Sequence, residues 1–290
     1  MGQTARCWSR RTVFALSALA LLAGCAGLQP FGAGARKETL HVLTKRMDLL
    51  TINAGLPRQI QKRVAVTGLA PGDTLVGIDY RVARGVLFAV SHRGVVYTLD
   101  ANTGVLKAVS GKALDKPMDG SLFGVDFNPV ADRIRVVSNT GFNIRLHPDT
   151  GALAASDPPL AYAPGDAQSA FRPEVVAAAY TYNKKDDKLT TNYAIDRRAG
   201  YLVTQGSVEG VLPVVSPNTG QLRTVGPLGL GPLTNASFDI ADVTGAAFAA
   251  VSTVSQAATR LYLINLATGK ADLLGIVGDG DPILGLAVEP

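Results

Sequence analysis

Cysteine is nearly absent from this 290-residue sequence, which contains only Cys7 and Cys25. Both lie within the first 25 positions, so the rest of the chain carries no thiol. Disulfides and thiolate metal sites are therefore excluded from that main part. Its fold must form without covalent cross-links.

Several signatures of catalytic and metal sites are also missing. The three histidines, His41, His92 and His147, stand singly, without a second His or Cys at the spacing of zinc ligands. There is no Gly-x-Ser-x-Gly nucleophile elbow and no glycine-rich phosphate loop. These absences exclude the commonest zinc, serine-hydrolase and nucleotide-binding motifs.

One apparent protease motif has a simpler interpretation. The triplet Asp-Thr-Gly at 149–151 matches the signature of aspartic proteases, but it aligns with Thr-Gly pairs at 103–104, 219–220 and 268–269. Asn, Asp and Gly suit the backbone geometry of tight turns. The triplet is therefore predicted to be one of four equivalent hairpin turns.

The excess of positive charge is small in the main part of the chain. Of 28 basic residues, Arg6, Arg10 and Arg11 lie near the N-terminus, which leaves 25 against 23 acidic residues. No cluster of Lys and Arg resembles the footprint of a nucleic-acid-binding protein. We therefore expect no nucleic-acid partner.

The sequence has one marked hydrophobic run, at 13–23, which follows the three N-terminal arginines. A membrane-spanning helix needs about 20 apolar residues, so this run is too short. A basic head, a short apolar run and small residues at its end are typical of a secretory signal peptide. Residues 1–24 are predicted to be that signal, and the pair Arg10-Arg11 leaves the export route open between the general and the twin-arginine pathway.

The end of this signal resembles a bacterial lipobox. Residues 22–25 read Leu-Ala-Gly-Cys, and in a lipobox the cysteine thiol is acylated and becomes the new N-terminus. Lipidation is therefore predicted at Cys25, the alternative being a cysteine that merely ends the apolar run. Ala26 stands where an Asp resembles an inner-membrane retention signal, which favours the outer membrane. We expect an exported protein, lipid-anchored to the cell envelope and facing the periplasm or the surface.

A flexible tether is predicted to follow the lipidated cysteine. Residues 27–37 are rich in Gly and Ala and have no periodicity. We assign 25–39 to the lipidated cysteine and tether, and 40–290 to one domain.

Internal repeats indicate the fold of that domain. Units begin near 77, 124, 177 and 237, and each carries four short β-rich runs separated by turn residues. With 31 Gly and 16 Pro, the chain is rich in turn formers. Repeats of this length with four strands are typical of propeller blades.

The two ends of the domain are predicted to complete a fifth blade. Residues 284–290 resemble the first strand of a unit, 41–44 its second, and 48–53 and 63–68 its last two. The sequence thus predicts an all-β fold, a five-bladed β-propeller closed by strands from both termini. A helix is the alternative for residues 38–50, because the apolar residues there also have helical spacing.

The repeat units resemble a known family. Residues 124–151, 77–81, 225–229 and 237–241 are similar to the bacterial family called domain of unknown function 4394, and the resemblance covers about 40–290. It implies a secreted or surface-associated propeller and brings no established activity or catalytic residues. The third unit departs from the pattern by a charged insertion at 184–188, predicted to be an exposed loop.

Three units carry an aspartate at the same place in the first strand: Asp79, Asp126 and Asp239. First strands line the channel of a propeller, so these carboxylates could face one another and hold a divalent cation such as calcium. Alternatively, each could accept backbone N–H groups of its own turn. The other two units have Ala near 179 and 287, so any ring is incomplete.

The second unit is rich in arginine and asparagine. Arg133 and Arg135 are two apart in a strand and so share a face. Guanidinium groups clustered with amides could form an anion or carbohydrate site, or they could pair with Asp126 and Asp132 as structural ion pairs. The candidate ligand-binding residues are Arg133, Arg135, Arg145, Asn128, Asn139 and Asn143.

Two functions remain open on sequence alone. The first is a binding or scaffold module whose partner is an envelope protein or a saccharide. The alternative is a cation-dependent hydrolase or lyase that acts on a sugar or lactone at the central channel. The sequence names no catalytic residue, and the only membrane contact expected is through Cys25.

Overall fold

The computed structural model describes residues 1–3, 34–110, 112–198 and 200–290. Cys25, most of the predicted signal peptide and most of the predicted tether lie outside these residues. Within them, no helix has the length and apolar character needed to cross a bilayer.

Twenty-one strands, numbered in chain order, form five sheets that we call blades. Blade 5 contains β1 (Thr39–Thr44), β2 (Asp48–Asn53) and β3 (Ile60–Ala65). Blade 1 contains β4 (Leu75–Arg81), β5 (Val86–Ser91), β6 (Val96–Leu99) and β7 (Leu106–Ala108). Blade 2 contains β8 (Phe123–Asn128), β9 (Arg133–Ser138), β10 (Asn143–Leu146) and β11 (Leu153–Ser156).

The remaining strands complete the set. Blade 3 contains β12 (Ala161–Tyr162), β13 (Val175–Tyr180), β14 (Asn192–Asp196), β15 (Tyr201–Gln205) and β16 (Gln221–Pro227). Blade 4 contains β17 (Leu233–Ile240), β18 (Ala247–Thr253), β19 (Arg260–Ile264) and β20 (Ala271–Ile276). The last strand, β21 (Ile283–Val288), pairs antiparallel with β1 in the order β21-β1-β2-β3.

The innermost strands, which we count as the first strand of each blade, are β4, β8, β13, β17 and β21, and they pack beside one another around a central channel. Blade 3 carries one additional outer strand, β12. Their backbones approach closely: a Cβ on Gly124 would lie 2.6 Å from the Ala178 nitrogen of the next blade. This is a five-bladed propeller, and the all-β prediction is confirmed.

The hydrophobic core is divided among the contacts between neighbouring blades. Five clusters of buried side chains lie between blades 1 and 2, 2 and 3, 3 and 4, 4 and 5, and 5 and 1. Each sheet therefore has two buried faces, which accounts for its nearly continuous apolar strands.

The same double burial explains why a helix at residues 38–50 was a plausible alternative. The structure has two strands there, β1 and β2, and the helical interpretation is wrong. Leu40 packs between blades 4 and 5, whereas Leu43 packs between blades 5 and 1. A strand that is apolar on both faces produces apolar pairs three residues apart, as a helix does.

The channel has two distinguishable ends. We call the end where the innermost strands start the amino end, and the end where they finish the carboxyl end. The loops between the first and second strands of each blade lie at the carboxyl end, as do those between the third and fourth.

Four Thr-Gly turns recur beside the outermost strands, at the positions predicted from the repeats. Their glycines, Gly104, Gly151, Gly220 and Gly269, all have positive φ, between 66° and 83°. They also touch the preceding blade or its connection: a Cβ on Gly220 would lie 2.6 Å from the Pro158 carbonyl oxygen. Glycine is thus required there by conformation and by close approach.

Candidate functional site at the propeller axis

Three carboxylates from three blades meet near the carboxyl end of the channel. Asp79 in β4, Asp126 in β8 and Asp239 in β17 each place one oxygen within 4.8 Å of the others. All three side chains are buried. The structure therefore brings together the three aspartates that the repeats align.

These carboxylates bond backbone groups across blade boundaries. Each innermost strand has one edge without a strand partner, so the N–H groups on that edge need other acceptors. In each case an aspartate on one blade accepts an N–H group of the next: Asp79 Oδ2 from Phe127 (2.6 Å), Asp126 Oδ2 from Tyr180 (2.8 Å) and Asp239 Oδ2 from Val288 (2.6 Å).

The two blades that lack the aspartate are served differently. Ala179 and Ala287 occupy its position in blades 3 and 5, and both are buried. In blade 4, which follows blade 3, the N–H group of Ile240 bonds to the aspartate of its own strand, Asp239 Oδ1, at 2.6 Å. Three aspartates thus accept four backbone amides, from blades 2, 3, 4 and 5.

Burial disfavours the charged form of all three groups. It raises the pKa of Asp126 well above the ordinary value, and the charges of Asp79 and Asp239 raise it further. Burial and the charge of Asp239 raise the pKa of Asp79 in the same way. Burial raises the pKa of Asp239 to about 7, against the opposing effect of its two backbone bonds. Because the three carboxyl groups also lie close to one another, the cluster retains protons to a higher pH than three separate carboxyl groups would.

The cluster suits a hard cation in donor type but not in number. Three carboxylates supply only part of the six to eight oxygens that calcium takes. A cation would also have to displace protons, since the raised pKa values keep the carboxyl groups protonated over a wider pH range. Among the described residues, none of these three aspartates lines any of the three main clefts.

Arg135 is fully buried in blade 2 and has protein acceptors on every side. Its Nε donates to the Tyr180 hydroxyl at 2.7 Å, and its Nη1 to Asn143 at 2.5 Å and Asp157 at 3.1 Å. Its Nη2 donates to Asn218 at 2.6 Å. The guanidinium links blade 2 to blade 3.

Of the other candidate ligand-binding residues, Asn143 and Arg145 join this group: Asn143 accepts from Arg135, and Arg145 donates to Asp157 through two 2.9 Å bonds. Asn128 and Asn139 bond backbone N–H groups of separate loops. Arg133 donates to the carbonyl of Asp132 at 2.8 Å. The six residues therefore do not converge on one pocket, and the acidic partner that Arg135 and Arg145 share is Asp157, not Asp126 or Asp132.

A cleft of 420 Å³ lies at the amino end of the channel. Its walls come from the starts of β4, β8 and β21, from β17 and from neighbouring turns. The polar lining residues are Lys45, Asp73, Thr74, His92, Ser121 and Asn235, and the others are mainly aliphatic with Phe123.

Two residues that line this cleft, Asp73 and His92, carry hydrogen-bond acceptors without a donor among the described residues. Asp73 Oδ1 accepts N–H groups of Thr74 (2.8 Å) and Arg93 (3.3 Å), whereas Oδ2 is buried without a partner among the described residues. His92 Nε2 lies 2.8 Å from the carbonyl oxygen of Met118, which can only accept. Nε2 therefore carries the proton of the neutral ring, and Nδ1 is left as an acceptor.

Comparison with known proteins now assigns the family. Residues 48–287 match the family described as "Domain of unknown function (DUF4394)". The chain belongs to this family. No curated protein matches this family member.

Solved structures with a similar arrangement include three of different kinds. One is a chain of a nidogen/laminin complex, with TM-score 0.47 and 10% identity, covering 87% of this chain and 98% of that one. Another is a structural genomics protein of unknown function from Bacteroides thetaiotaomicron, with TM-score 0.46 and 9% identity, covering 83% and 56%. TolB from Acinetobacter baumannii has TM-score 0.45 and 11% identity, covering 89% and 68%.

Little in the sequence predicts which residues line the cleft at the amino end of the channel. Asp73 and Asn235 stand in no repeated motif, and His92 stands alone. They meet because the starts of the innermost strands converge at the axis. The one available signal is positional, since Asp73 and Asn235 each lie just before or at the start of a repeat unit.

Proposed function

We propose that this chain is an exported lipoprotein, anchored through Cys25, that binds a saccharide in the cleft at the amino end of its channel. A β-propeller of the domain of unknown function 4394 family fits a binding or scaffold module. The signal-like N-terminus and the Leu-Ala-Gly-Cys sequence at 22–25 support export and lipidation. Saccharide binding rests on the chemistry of the cleft.

The buried, unpartnered Oδ2 of Asp73 carries the proposal. A buried acceptor without a donor is costly, and a ligand hydroxyl that donates to it removes that cost. His92 Nδ1 offers a second acceptor, and Lys45 a donor, in the same cleft. A polyhydroxylated ligand supplies several donors at once, and the ring of Phe123 provides an apolar surface for its C–H groups.

Isothermal titration of the mature protein with glucose, galactose and N-acetylglucosamine oligomers tests this. Asp73→Asn keeps Oδ1, and with it the bonds to Thr74 and Arg93, but replaces the free acceptor by a donor. We expect a loss of affinity of about ten- to hundredfold, because an acceptor–donor match becomes a mismatch. Asp187→Asn changes an exposed carboxylate at the carboxyl end and serves as control. Unchanged affinity in Asp73→Asn, or no binding by any oligomer, would rule out this site.

Lipidation is tested separately by mass spectrometry of the N-terminus of the membrane-fractionated protein. We expect an acylated Cys25, and a Cys25→Ser variant that leaves the membrane fraction. A wild-type chain with an unmodified N-terminus in the aqueous fraction would contradict the anchor.

The second candidate, a cation-dependent hydrolase or lyase for a sugar or lactone, is favoured by one observation, the convergence of Asp79, Asp126 and Asp239. It requires a cation that binds only the folded state, and such a ligand raises the unfolding midpoint. Thermal unfolding with calcium and with chelator, in wild type and Asp126→Asn, decides it. A calcium-dependent rise that the variant loses would favour this candidate over a purely structural cluster.

A further inference from the structure

The loop between β15 and β16 carries an exposed aliphatic tip. Val211 is 52% exposed, Leu212 82% and Val214 74%. Monomeric proteins seldom leave adjacent aliphatic side chains this accessible unless the surface meets an apolar partner. This tip lies at the carboxyl end, because β15 finishes at Gln205 opposite the start of β14.

Two neighbouring loops extend the surface that carries this tip. Asn183, just before the charged insertion, donates to Glu209 at 3.2 Å, on the flank of the aliphatic loop. The first residue of the insertion, Lys184, donates to the carbonyl of Val243 in the loop between β17 and β18. Val243 is itself exposed, so an aliphatic side chain from a second loop shares this face.

The N-terminal segment reaches the same face. Thr244, the neighbour of Val243, donates to the Glu38 carboxylate at 2.8 Å. Arg36 is held to Asn53 at the end of β2, a carboxyl-end position. Residues 34–38 are therefore fixed at the end of the propeller that carries the aliphatic tip.

The length of chain before Gly34 limits where a lipid on Cys25 can lie. Eight residues lie between the two positions, so nine Cα–Cα steps join them. A fully extended chain of that length reaches about 30 Å. Acyl chains on Cys25 would thus keep the carboxyl end within that distance of the bilayer that holds them.

We propose that the carboxyl end of the propeller docks on this bilayer, with residues 211–214 inserted among the lipid headgroups and upper acyl chains. The proposal rests on the lipidation of Cys25 proposed above. A lipid surface fits the tip because its side chains are aliphatic and uncharged, and because the anchor brings the two together without a further partner.

A pair of matched valines tests the docking. Val214 lies beside the tip, whereas Val254 lies in the loop between β18 and β19, at the amino end, and is 80% exposed. Cys25 is the only cysteine after the signal, so a cysteine introduced into the acylated protein is its one free thiol. Val214→Cys and Val254→Cys are each labelled with a polarity-sensitive fluorophore and reconstituted into phosphatidylethanolamine–phosphatidylglycerol vesicles.

We expect a blue-shifted, several-fold brighter emission at position 214 that acyl-chain quenchers reduce, and neither change at position 254. Equal spectra at both positions in protein that sediments with the vesicles would overturn the docking and leave the anchor intact. A change at 214 that appears only when envelope proteins are added, and not with lipid alone, would overturn it in favour of a protein partner. If the protein fails to sediment with the vesicles, that result would contradict the lipid anchor on Cys25 and the docking orientation that depends on it.

Docking must also depend on the aliphatic character of the tip. Leu212→Asp is expected to abolish the emission shift of the label at 214 while sedimentation with vesicles persists. Retention of the full shift in Leu212→Asp would contradict insertion of this loop. Neither readout uses a saccharide, so these experiments test the docking separately from the proposal that the cleft binds a saccharide.

Discussion

At the scale of single residues, the axial aspartates substitute for a missing strand. The inner edge of each blade faces the channel, and three side chains there accept the N–H groups that no neighbouring strand can accept. Asp126 accepts one such group, and burial together with the charges of Asp79 and Asp239 raises its pKa. The consequence of satisfying these amides with buried carboxyl groups is therefore a cluster that holds protons to an unusually high pH.

The first prediction concerns the pH dependence of stability. The pKa of Asp239 is raised to about 7 by burial, from an ordinary value of 3.8. Between these values the folded chain binds more protons than the unfolded chain, so the unfolding free energy falls as the pH rises. The fall is at most about 1.4 kcal/mol per pH unit for each such group. Urea unfolding at pH 4 to 8 measures it, and stability that rises across this range would contradict the protonated cluster.

The second prediction isolates Asp126. Asparagine imitates its protonated form, because the amide is uncharged and its oxygen still accepts the Tyr180 N–H. We expect Asp126→Asn to fold and to lose less unfolding free energy between pH 5 and 8 than wild type. Asp187→Asn, outside the cluster, should retain the wild-type slope. An Asp126→Asn slope equal to that of wild type would mean that Asp126 does not titrate in this range.

Residue-level prediction from sequence succeeded where the repeats supplied a register. Alignment of units placed Asp79, Asp126 and Asp239 at one level of adjacent strands, and they do meet. The alignment could not supply the partners of Arg135, since Asp157 and Asn218 lie 22 and 83 residues away, in stretches that the repeat does not constrain. Side-chain partners across a blade boundary depend on packing that a single unit does not encode.

At the scale of elements, the Thr-Gly turns fix the outer contacts between blades. Gly220 has φ 71° and lies against Pro158, so it faces both a conformational and a steric constraint. Gly245 has φ 68° but no atom within 4 Å of the position of an added Cβ. The two glycines therefore separate the effects of backbone conformation and close approach.

The third prediction uses this difference. Gly245→Ala should lower the unfolding free energy by about 1 kcal/mol, the cost of a left-handed alanine. Gly220→Ala should lower it by about 2 kcal/mol or more, because overpacking adds to that cost. Chemical denaturation measures both, and equal losses would show that the contact with Pro158 adjusts freely.

Most of the secondary structure was predictable from the sequence, as were the axial aspartates that the repeats align. Turn residues and β-branched runs indicated the strands of all five blades, because turn chemistry is local. The segment at residues 38–50 was ambiguous, because burial on both faces removes the alternation that usually identifies a strand. Here the tertiary environment, not local propensity, decides the structure.

At the scale of the whole molecule, stability is distributed over five contacts between blades. The innermost strand β21 contributes Leu286 to one of these cores and Ala287 to the next. Val288 also donates the N–H group that Asp239 accepts. One short strand therefore supports two cores and the axial cluster.

The fourth prediction follows from that role. Deletion of residues 283–290 should abolish cooperative unfolding, because β1 loses its partner and two cores are exposed. Deletion of 289–290 alone, both exposed, should leave the transition nearly unchanged. Near-UV circular dichroism during urea unfolding distinguishes the two. A cooperative transition in the longer deletion would show that the other blades form a stable unit without β21.

The two ends of the channel have separate roles in this arrangement. Residues 34–38 leave the domain at one end, and the cleft with Asp73 opens at the other. Any attachment through the N-terminus, to a bilayer or to a biosensor chip, therefore joins the propeller to its support at the end opposite the cleft. Immobilisation by the N-terminus should leave ligand capacity unchanged, whereas coupling through cysteines placed beside the cleft should obstruct it.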